Sequence, residues 1–475
     1  MLNTKKSFLK TLLIFVLHTT MASMFGKSVS AQEMWGISNS NFSGHMGLFL
    51  NPSHIVGAPY QYEINVAALD QFAENTFLYL PLDEKIIYLP FSDEVRKRNN
   101  FYTNSNGFQN GFSHELIIGP GYIRNKNNFA WGIHSAFRSG LSVTGISPEL
   151  ALLRYENFNT EVLNDTMYST SFTSAYTSWY EVGGSYGKVF RENEMNLFKY
   201  GVNVNLLIGQ GGYFYKEDGM DFTSLDSSQI VLHRMNTTYG HTATNSNKSV
   251  FGLRGLGLGT TVGVTYIKEP NRGAFDCNMS NDRQRKYKYR IGFSLIDLGM
   301  IRYFDDATES NVSIQSNYTL SGVDSFSVNS FQDLDTVLLN AGGTIEEKDF
   351  SIWLPLALSV QFDYQLRPNL FANASVVNRI HFFENQVARG NQAAVSVRYE
   401  RRRLEGNINF SLFEWNKPAM GVGLRYRFLV IGTDRLLELA GISDSPSYNI
   451  YFGLKFQFCK KPFSKGPDCP SYLSN

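Results

Sequence analysis

The chain has 475 residues, enough for two or three ordinary domains or for one large β-barrel, and its formal net charge of +1 leaves no footprint for nucleic acid. Charged residues make up 18%, below the roughly 25% typical of soluble domains, while 37 Phe, 26 Tyr and 40 Gly are abundant. Mean hydropathy is nonetheless −0.22, which excludes a bundle of membrane helices, each needing about 20 consecutive apolar residues.

Lys5, Lys6 and Lys10 precede the apolar run TLLIFVL (11–17), and His18, Thr19 and Thr20 end that run too early for a membrane span. Val29, Ser30 and Ala31 then place small residues before Gln32. This layout reads as a secretory signal over residues 1–31, cleaved near Ala31, so that the mature chain leaves the cytoplasm. With no Cys near the cleavage point, a lipid-anchored form is not expected. Residues 32–59 are rich in Gly, Ser and Asn without steady periodicity and read as an irregular leader.

From residue 60 onward, stretches with an apolar residue at every second position recur. EINVAAL and NTFLYL lie within 60–80, and ELIIGPGYI leads through RNKNN into FAWGIHSAF by residue 137. WYEVGGSYGKVF (179–190) turns at RENEMN into LFKYGVNVNLLIG (197–209), followed by GLGLGTTVGVTYI (255–267) and KYKYRIGFSLIDLG (286–299). The last third is denser: IWLPLALSVQFDY, LFANASVVNRI, AAVSVRYE, LEGNINFSLFEW, AMGVGLRYRFLVI and YNIYFGLKFQF (448–458). Alternation means one apolar and one polar face per strand, and several stretches match the roughly 9 to 11 residues that a tilted strand needs to cross a bilayer. A soluble β-sandwich would carry charge on its polar face, whereas here that face is often Gly, Asn, Ser or Thr. The expected fold is all-β: a single transmembrane antiparallel barrel of about 14 strands, within a range of roughly 14 to 16. It would occupy residues 60–458, with 459–475 as a periplasmic tail.

Three polar segments break the pattern and read as long loops: residues 215–250, residues 304–350 with a helix predicted in SFQDLDTVLLNA, and residues 432–447 with a helical turn. Counting strands back from a periplasmic C-terminus puts the short turn QLRPN (365–369) outside and the long 304–350 segment inside. Outer-membrane barrels have the reverse arrangement, so either the count misses or merges a strand or this barrel is unusual.

Residues for catalysis do not assemble. HELII at His114 has no second His at zinc-protease spacing, GLRGLGLG (252–259) fits no phosphate loop, and GxSxG is absent. The expectation is therefore a non-enzyme with no catalytic residue, metal or cofactor. Cys459 and Cys469 have the spacing to close a small loop in the tail, leaving Cys277 single.

The polar faces give the candidate lumen residues: Lys199, Asn203, Asn205, Lys286, Lys288, Arg290, Gln361, Asp363, Arg398, Arg425, Arg427 and Lys455. Their positive excess would focus anions if they lined an open channel. Alternatively they pair across strands and stiffen the wall. ERRR (400–403) reads as a solvated turn. In the closing strand, Tyr448, Phe456 and Phe458 form an aromatic terminal signal of the kind used in outer-membrane insertion, which makes the barrel-assembly machinery an expected partner beside membrane lipid.

Four stretches, FLNPSHIVGAPYQYEINV (49–66), KYRIGFSLIDLGMIRY (288–303), GLRYRFLVIGTDRLL (423–437) and YFGLKFQF (451–458), resemble a domain-of-unknown-function family of Bacteroidota outer-membrane barrels. That family is distantly similar to FadL-type transporters and PorV-like barrels. The resemblance implies that the leader folds into or beneath the lumen as a plug, with Asn51, Pro52 and Ser53 in the hatch. It also implies either of two functions in the outer membrane of a Gram-negative cell. One is a channel or transporter for small molecules, hydrophobic ones included; the other is a scaffold docking a secretion or surface-attachment partner through the long loops.

Overall fold

The computed structural model describes residues 33–80, 101–155 without 105 and 127, 166–226 without 170 and 193–195, 229–242, 252–268, 287–321 without 316, 335, and 344–459 without 445. Fourteen strands form a closed antiparallel barrel. In chain order they are β1 (Tyr60–Asn75), β2 (Gln109–Asn125), β3 (Phe129–Ile146), β4 (Phe172–Glu192), β5 (Asn196–Asp226), β6 (Gly255–Lys268) and β7 (Tyr289–Tyr303). The second half comprises β8 (Ala357–Arg367), β9 (Leu370–Arg379), β10 (Gln392–Glu400), β11 (Leu404–Phe413), β12 (Lys417–Tyr426), β13 (Leu429–Thr433) and β14 (Ser447–Cys459). Each wall strand pairs with its chain neighbour, and β14 closes on β1 with Phe458 opposite Tyr62 and Phe452 opposite Leu69. Closure satisfies every strand edge internally, which hydrocarbon requires.

The strands have the expected two faces. On β14, Phe452, Phe456 and Phe458 are exposed while Asn449, Tyr451 and Lys455 are buried. The same pattern runs round the wall, leaving Ile64, Ile133, Val182, Val204, Leu258, Val264, Phe293, Val395, Ile408 and Phe410 exposed. An outward apolar surface of this extent belongs in lipid. At the end holding Tyr60 and Cys459, aromatic rings pass contacts from strand to strand: Phe458 to Tyr62 at 4.6 Å, Tyr62 to Tyr122 at 6.5 Å and Tyr122 to Trp131 at 5.6 Å. The series resumes as Phe198 to Tyr266 at 4.8 Å, Tyr266 to Tyr289 at 6.0 Å and Tyr289 to Phe362 at 6.3 Å. This is an aromatic girdle at a membrane–water interface. It lies on the side of the tight turns 368–369, 401–403 and 427–428, which marks it as the periplasmic rim.

The sidedness inferred from strand counting is corrected. QLRPN ends β8 at the rim that also holds both barrel termini, and 304–350 leaves from the opposite, outer end. The error came from AMGVGLRYRFLVI, which is two strands. Arg427 and Phe428 make the turn between β12 and β13, with Arg427 at φ 54°, so the chain reverses inside what reads as one alternating run.

Two of the expected loops also contain more strand than their polarity suggests. β5 continues to Asp226 and pairs with Gln229–Thr242, and that strand in turn pairs with Ala307–Ile314 and Tyr318–Ser321. The wall on this side thus extends outward past its lipid-facing part: Leu232, Met235, Tyr239 and Val312 keep one face buried, while the other face meets water and need not be apolar. The helical turn expected in 432–447 is present at Leu436–Leu439, and a helix not anticipated, Pro148–Tyr155, follows β3. The helix predicted in SFQDLDTVLLNA lies outside the described residues apart from Asp335, as do the signal segment and the tail beyond Cys459.

Candidate functional site

Residues 33–59 run inside the wall and are almost wholly buried. Their polar composition is matched by the polar inner face, so the contact is made through hydrogen bonds as well as packing. A short helix, His45–Leu48, and a 3-10 turn, Pro52–Ile55, are its only regular elements among the described residues. Asn51 caps that turn: its Oδ1 accepts from the Ser53 amide at 3.1 Å and from Ser53 Oγ at 2.7 Å, while its Nδ2 donates to Gln361 Oε1 at 2.9 Å. Ser53 Oγ in turn meets Thr265 Oγ1 at 2.6 Å, and Ser294 Oγ donates to the Leu50 carbonyl at 2.6 Å.

The wall makes room for this turn with glycine. Gly187, Gly201 and Gly263 stand opposite one another across β4, β5 and β6, with Gly292 two positions away on β7. A Cβ on Gly201 would lie 2.4 Å from the Pro52 carbonyl carbon, and one on Gly263 would lie 2.2 Å from Asn51 Oδ1. Glycine therefore permits close backbone approach here, and its cost to a strand interior is offset by the seated turn. His54 is buried beside the turn, and loss of hydration, reinforced by the Arg290 and Lys199 cations, holds its pKa well below the ordinary histidine value.

The inward cations are engaged. Arg398 donates to both Asp363 oxygens at 3.0 and 2.8 Å and to Glu400 Oε1 at 2.6 Å. Arg290 donates to the same Asp363 at 3.1 Å and to the Asn39 carbonyl at 2.5 Å, and Tyr287 OH also donates to Asp363. Arg425 binds Glu405 at 2.9 Å and lies over the Phe42 ring at 4.4 Å, while Ser40 donates to the same carboxylate at 2.9 Å. Lys455 donates to the Phe42 and Ser43 carbonyls at 2.7 and 2.6 Å, and Lys199 to the Val56 carbonyl at 3.0 Å. Charge-assisted bonds of this kind compensate the desolvation of the buried ions. They tie the segment to the wall and leave these cations no role as an open anion path.

A second insertion comes from the outer end. Between β9 and β10, Val387 packs among Trp179, Leu207 and Ile352, and Ala388 among Phe72, Phe112 and Phe413. Arg389 then reaches Glu33 at 2.6 Å and Asp297 at 2.9 Å. Asp297, at φ 57° in a register break of β7, also takes both terminal nitrogens of Arg138, at 2.8 and 2.6 Å.

Asn203, Asn205, Gln361 and Asp363 are buried on the inner face together with the five cations just described. Two candidates are placed elsewhere. Arg427 is exposed in the β12–β13 turn, because the merged strand gave it a false inward parity, and Lys288 is exposed just before β7 begins. Tyr287, next in sequence to the candidates Lys286 and Lys288, is buried against Asp363. Lys286, Cys277 and Cys469 lie outside the described residues, and nothing is described of the Cys459 side chain, so the disulfide expectation does too. On β14, Tyr448 is partly buried, and Phe456 and Phe458 face outward. Sequence reasoning named the cations but missed the acceptors Glu400 and Glu405, each a carboxylate on the polar face of an alternating strand. Arg389, in a connection without periodicity, carried no signal.

The model of a family described as a family of unknown function, DUF5723, matches residues 50–434. The chain belongs to that family. Among curated proteins no match was found. Similar solved structures include the Pseudomonas putida toluene transporter TodX, at 12% identity over 88% of this chain and 94% of that one, with a TM-score of 0.36. Another is the Ralstonia pickettii toluene transporter TbuX, at 10% identity over 96% and 100%, with a TM-score of 0.37. A Pseudomonas aeruginosa FadL homologue matches at 9% identity over 91% and 99%, with a TM-score of 0.31. The DUF5723 chain is a transmembrane β-barrel on its own geometry: closed wall, apolar exterior, aromatic rim and filled polar interior.

Proposed function

We propose that this barrel admits small molecules, hydrophobic ones included, across the outer membrane, and that residues 33–59 act as a plug that must shift for passage. The observation that supports this is the nature of the plug's attachment. Beside an apolar cluster in which Met34, Ile37, Met46 and Leu48 pack with Ala68, Ile118 and Val430, it is held by side-chain hydrogen bonds to many separate strands, such as Asn51 to Gln361, Ser40 to Glu405 and Lys455 to Phe42. Contacts of this kind can be exchanged for water one at a time without unfolding a wall whose strands pair independently. The test is a barrel lacking residues 33–59, refolded into liposomes. Permeability to a small dye or hydrocarbon should rise well above that of the full chain, and equal permeability would remove the plug reading.

A second reading, a scaffold that docks a protein partner, is favoured by one observation. The paired strands Gln229–Thr242, Ala307–Ile314 and Tyr318–Ser321 build an outward extension that a simple pore does not need. A stoichiometric partner retained on isolation from native membranes, together with unchanged permeability of the plug-deleted barrel, would select it.

A further inference from the structure

The arginines at the periplasmic rim behave differently from those inside. Arg402, Arg403 and Arg427 are exposed, and none has a carboxylate within ion-pair distance among the described residues. The acids beside them in sequence are engaged elsewhere, Glu400 by Arg398 and Glu405 by Arg425 on the inner face.

The turns that carry these arginines are fixed. Arg425, buried, donates to the Arg401 and Arg402 carbonyls at 2.9 and 3.2 Å, pinning the turn from within. The Arg427 amide donates to the Arg403 carbonyl at 2.7 Å and the Lys455 amide to the Phe428 carbonyl at 2.8 Å, so two hairpin turns and strand β14 are joined side by side. Arg401 and Arg427 lie over the Tyr399 and Tyr426 rings at 5.4 Å each. A recess of about 190 Å³ here is lined by Arg402, Arg403 and Arg427 and by Phe428, Phe456 and Phe458, together with Lys455 and Gln457. Phe428 and Phe456 are members of the outward aromatic surface, with ring centroids 5.4 Å apart. Just beyond β14 the sequence adds Lys460, Lys461 and Lys465 against one acid, Asp468.

A preorganised cationic cluster abutting a lipid-facing aromatic wall matches an amphiphile whose phosphate ends where its acyl chains begin. Guanidinium groups suit phosphate because they donate in a planar fork, and the level of the girdle is where headgroups lie. We propose that this recess binds the phosphate of a phospholipid in the periplasmic leaflet, with Arg402, Arg403 and Arg427 as the phosphate ligands and Phe428, Phe456 and Phe458 flanking the acyl chains. The reading of ERRR as only a solvated turn is thereby extended, and the proposal does not depend on whether the lumen conducts.

The experiment is native mass spectrometry of the full chain in detergent, titrated with short-chain phosphatidylglycerol, with the matching diacylglycerol, and with glycerol phosphate. The expected result is one tightly retained phosphatidylglycerol, at least tenfold weaker retention of diacylglycerol, and no competition from millimolar glycerol phosphate. The triple variant Arg402→Gln, Arg403→Gln, Arg427→Gln should lose that preference at least tenfold, whereas Arg→Lys at the same three positions should keep part of it. Folding of each variant is checked by the heat-dependent gel shift of the barrel. Retention unchanged in a folded triple-Gln variant would overturn the proposal. Binding of glycerol phosphate as tight as that of the lipid would overturn it in favour of a soluble phosphate source.

Discussion

Arg398 and Arg403 are five residues apart, yet they differ in almost every physical respect. Arg398 is 1% exposed and bound to two carboxylates, whereas Arg403 is exposed at the rim with none among the described residues. Strand parity puts one inside the wall and the turn puts the other in the interface. The contrast separates two uses of the same side chain. Inside, a guanidinium organises structure, because removing its partner strands a buried charge. At the rim, water screens it and its contribution to stability is small, so a cluster of such residues is free to recognise a ligand.

The largest effect in that comparison should come from Asp363→Ala, which leaves both Arg290 and Arg398 without their shared carboxylate. A loss of about 3–5 kcal/mol is expected in urea unfolding of the micelle-bound barrel, against about 0.5 kcal/mol or less for Arg403→Gln. Equal losses would erase the distinction. Next is Gly201→Val, which drives a side chain into the Pro52–Ser53 peptide while keeping the strand register. It should cost about 1–3 kcal/mol and expose residues 33–59 to protease before the wall unfolds. An intact, protected segment would mean that the glycine seat is not needed.

The smallest effect concerns His54. Its folded pKa is lowered, chiefly by burial, so the unfolded or unseated segment takes up a proton first. The stability it contributes is present above the ordinary histidine value near 6.5 and is lost as pH falls below it, by at most about 1.4 kcal/mol per pH unit. Hydrogen exchange of residues 45–56 should therefore accelerate between pH 7.5 and 5 relative to the wall, and His54→Leu should flatten that dependence. No difference between the two proteins would assign the pH response to other groups.

The wall was largely legible because lipid demands an apolar residue at every outward position. YNIYFGLKFQF displays this on β14, and LFKYGVNVNLLIG on β5. Legibility failed where that demand lapses. Residues 229–242, 307–314 and 318–321 pair as strands beyond the lipid-facing wall, where the outward side need not be apolar, and they read as loops. It also failed at Arg427 and Phe428, since a two-residue reversal preserves alternation on both sides and hides in it. For the site, inward parity identified Arg290, Arg398, Arg425 and Lys455 as interior, but parity is a one-strand property and names no partner.

The sequence by itself determined the architecture: an all-β transmembrane barrel, its closing strand, and which residues of most wall strands face inward, because period two is set by local backbone geometry. Only the tertiary structure decided what fills the interior. That Asn51 would meet Gln361, that Lys455 would hold the Phe42 carbonyl and that Arg389 would reach Glu33 depends on contacts between residues hundreds of positions apart. Closure of the barrel brings such residues together, and no local pattern encodes them.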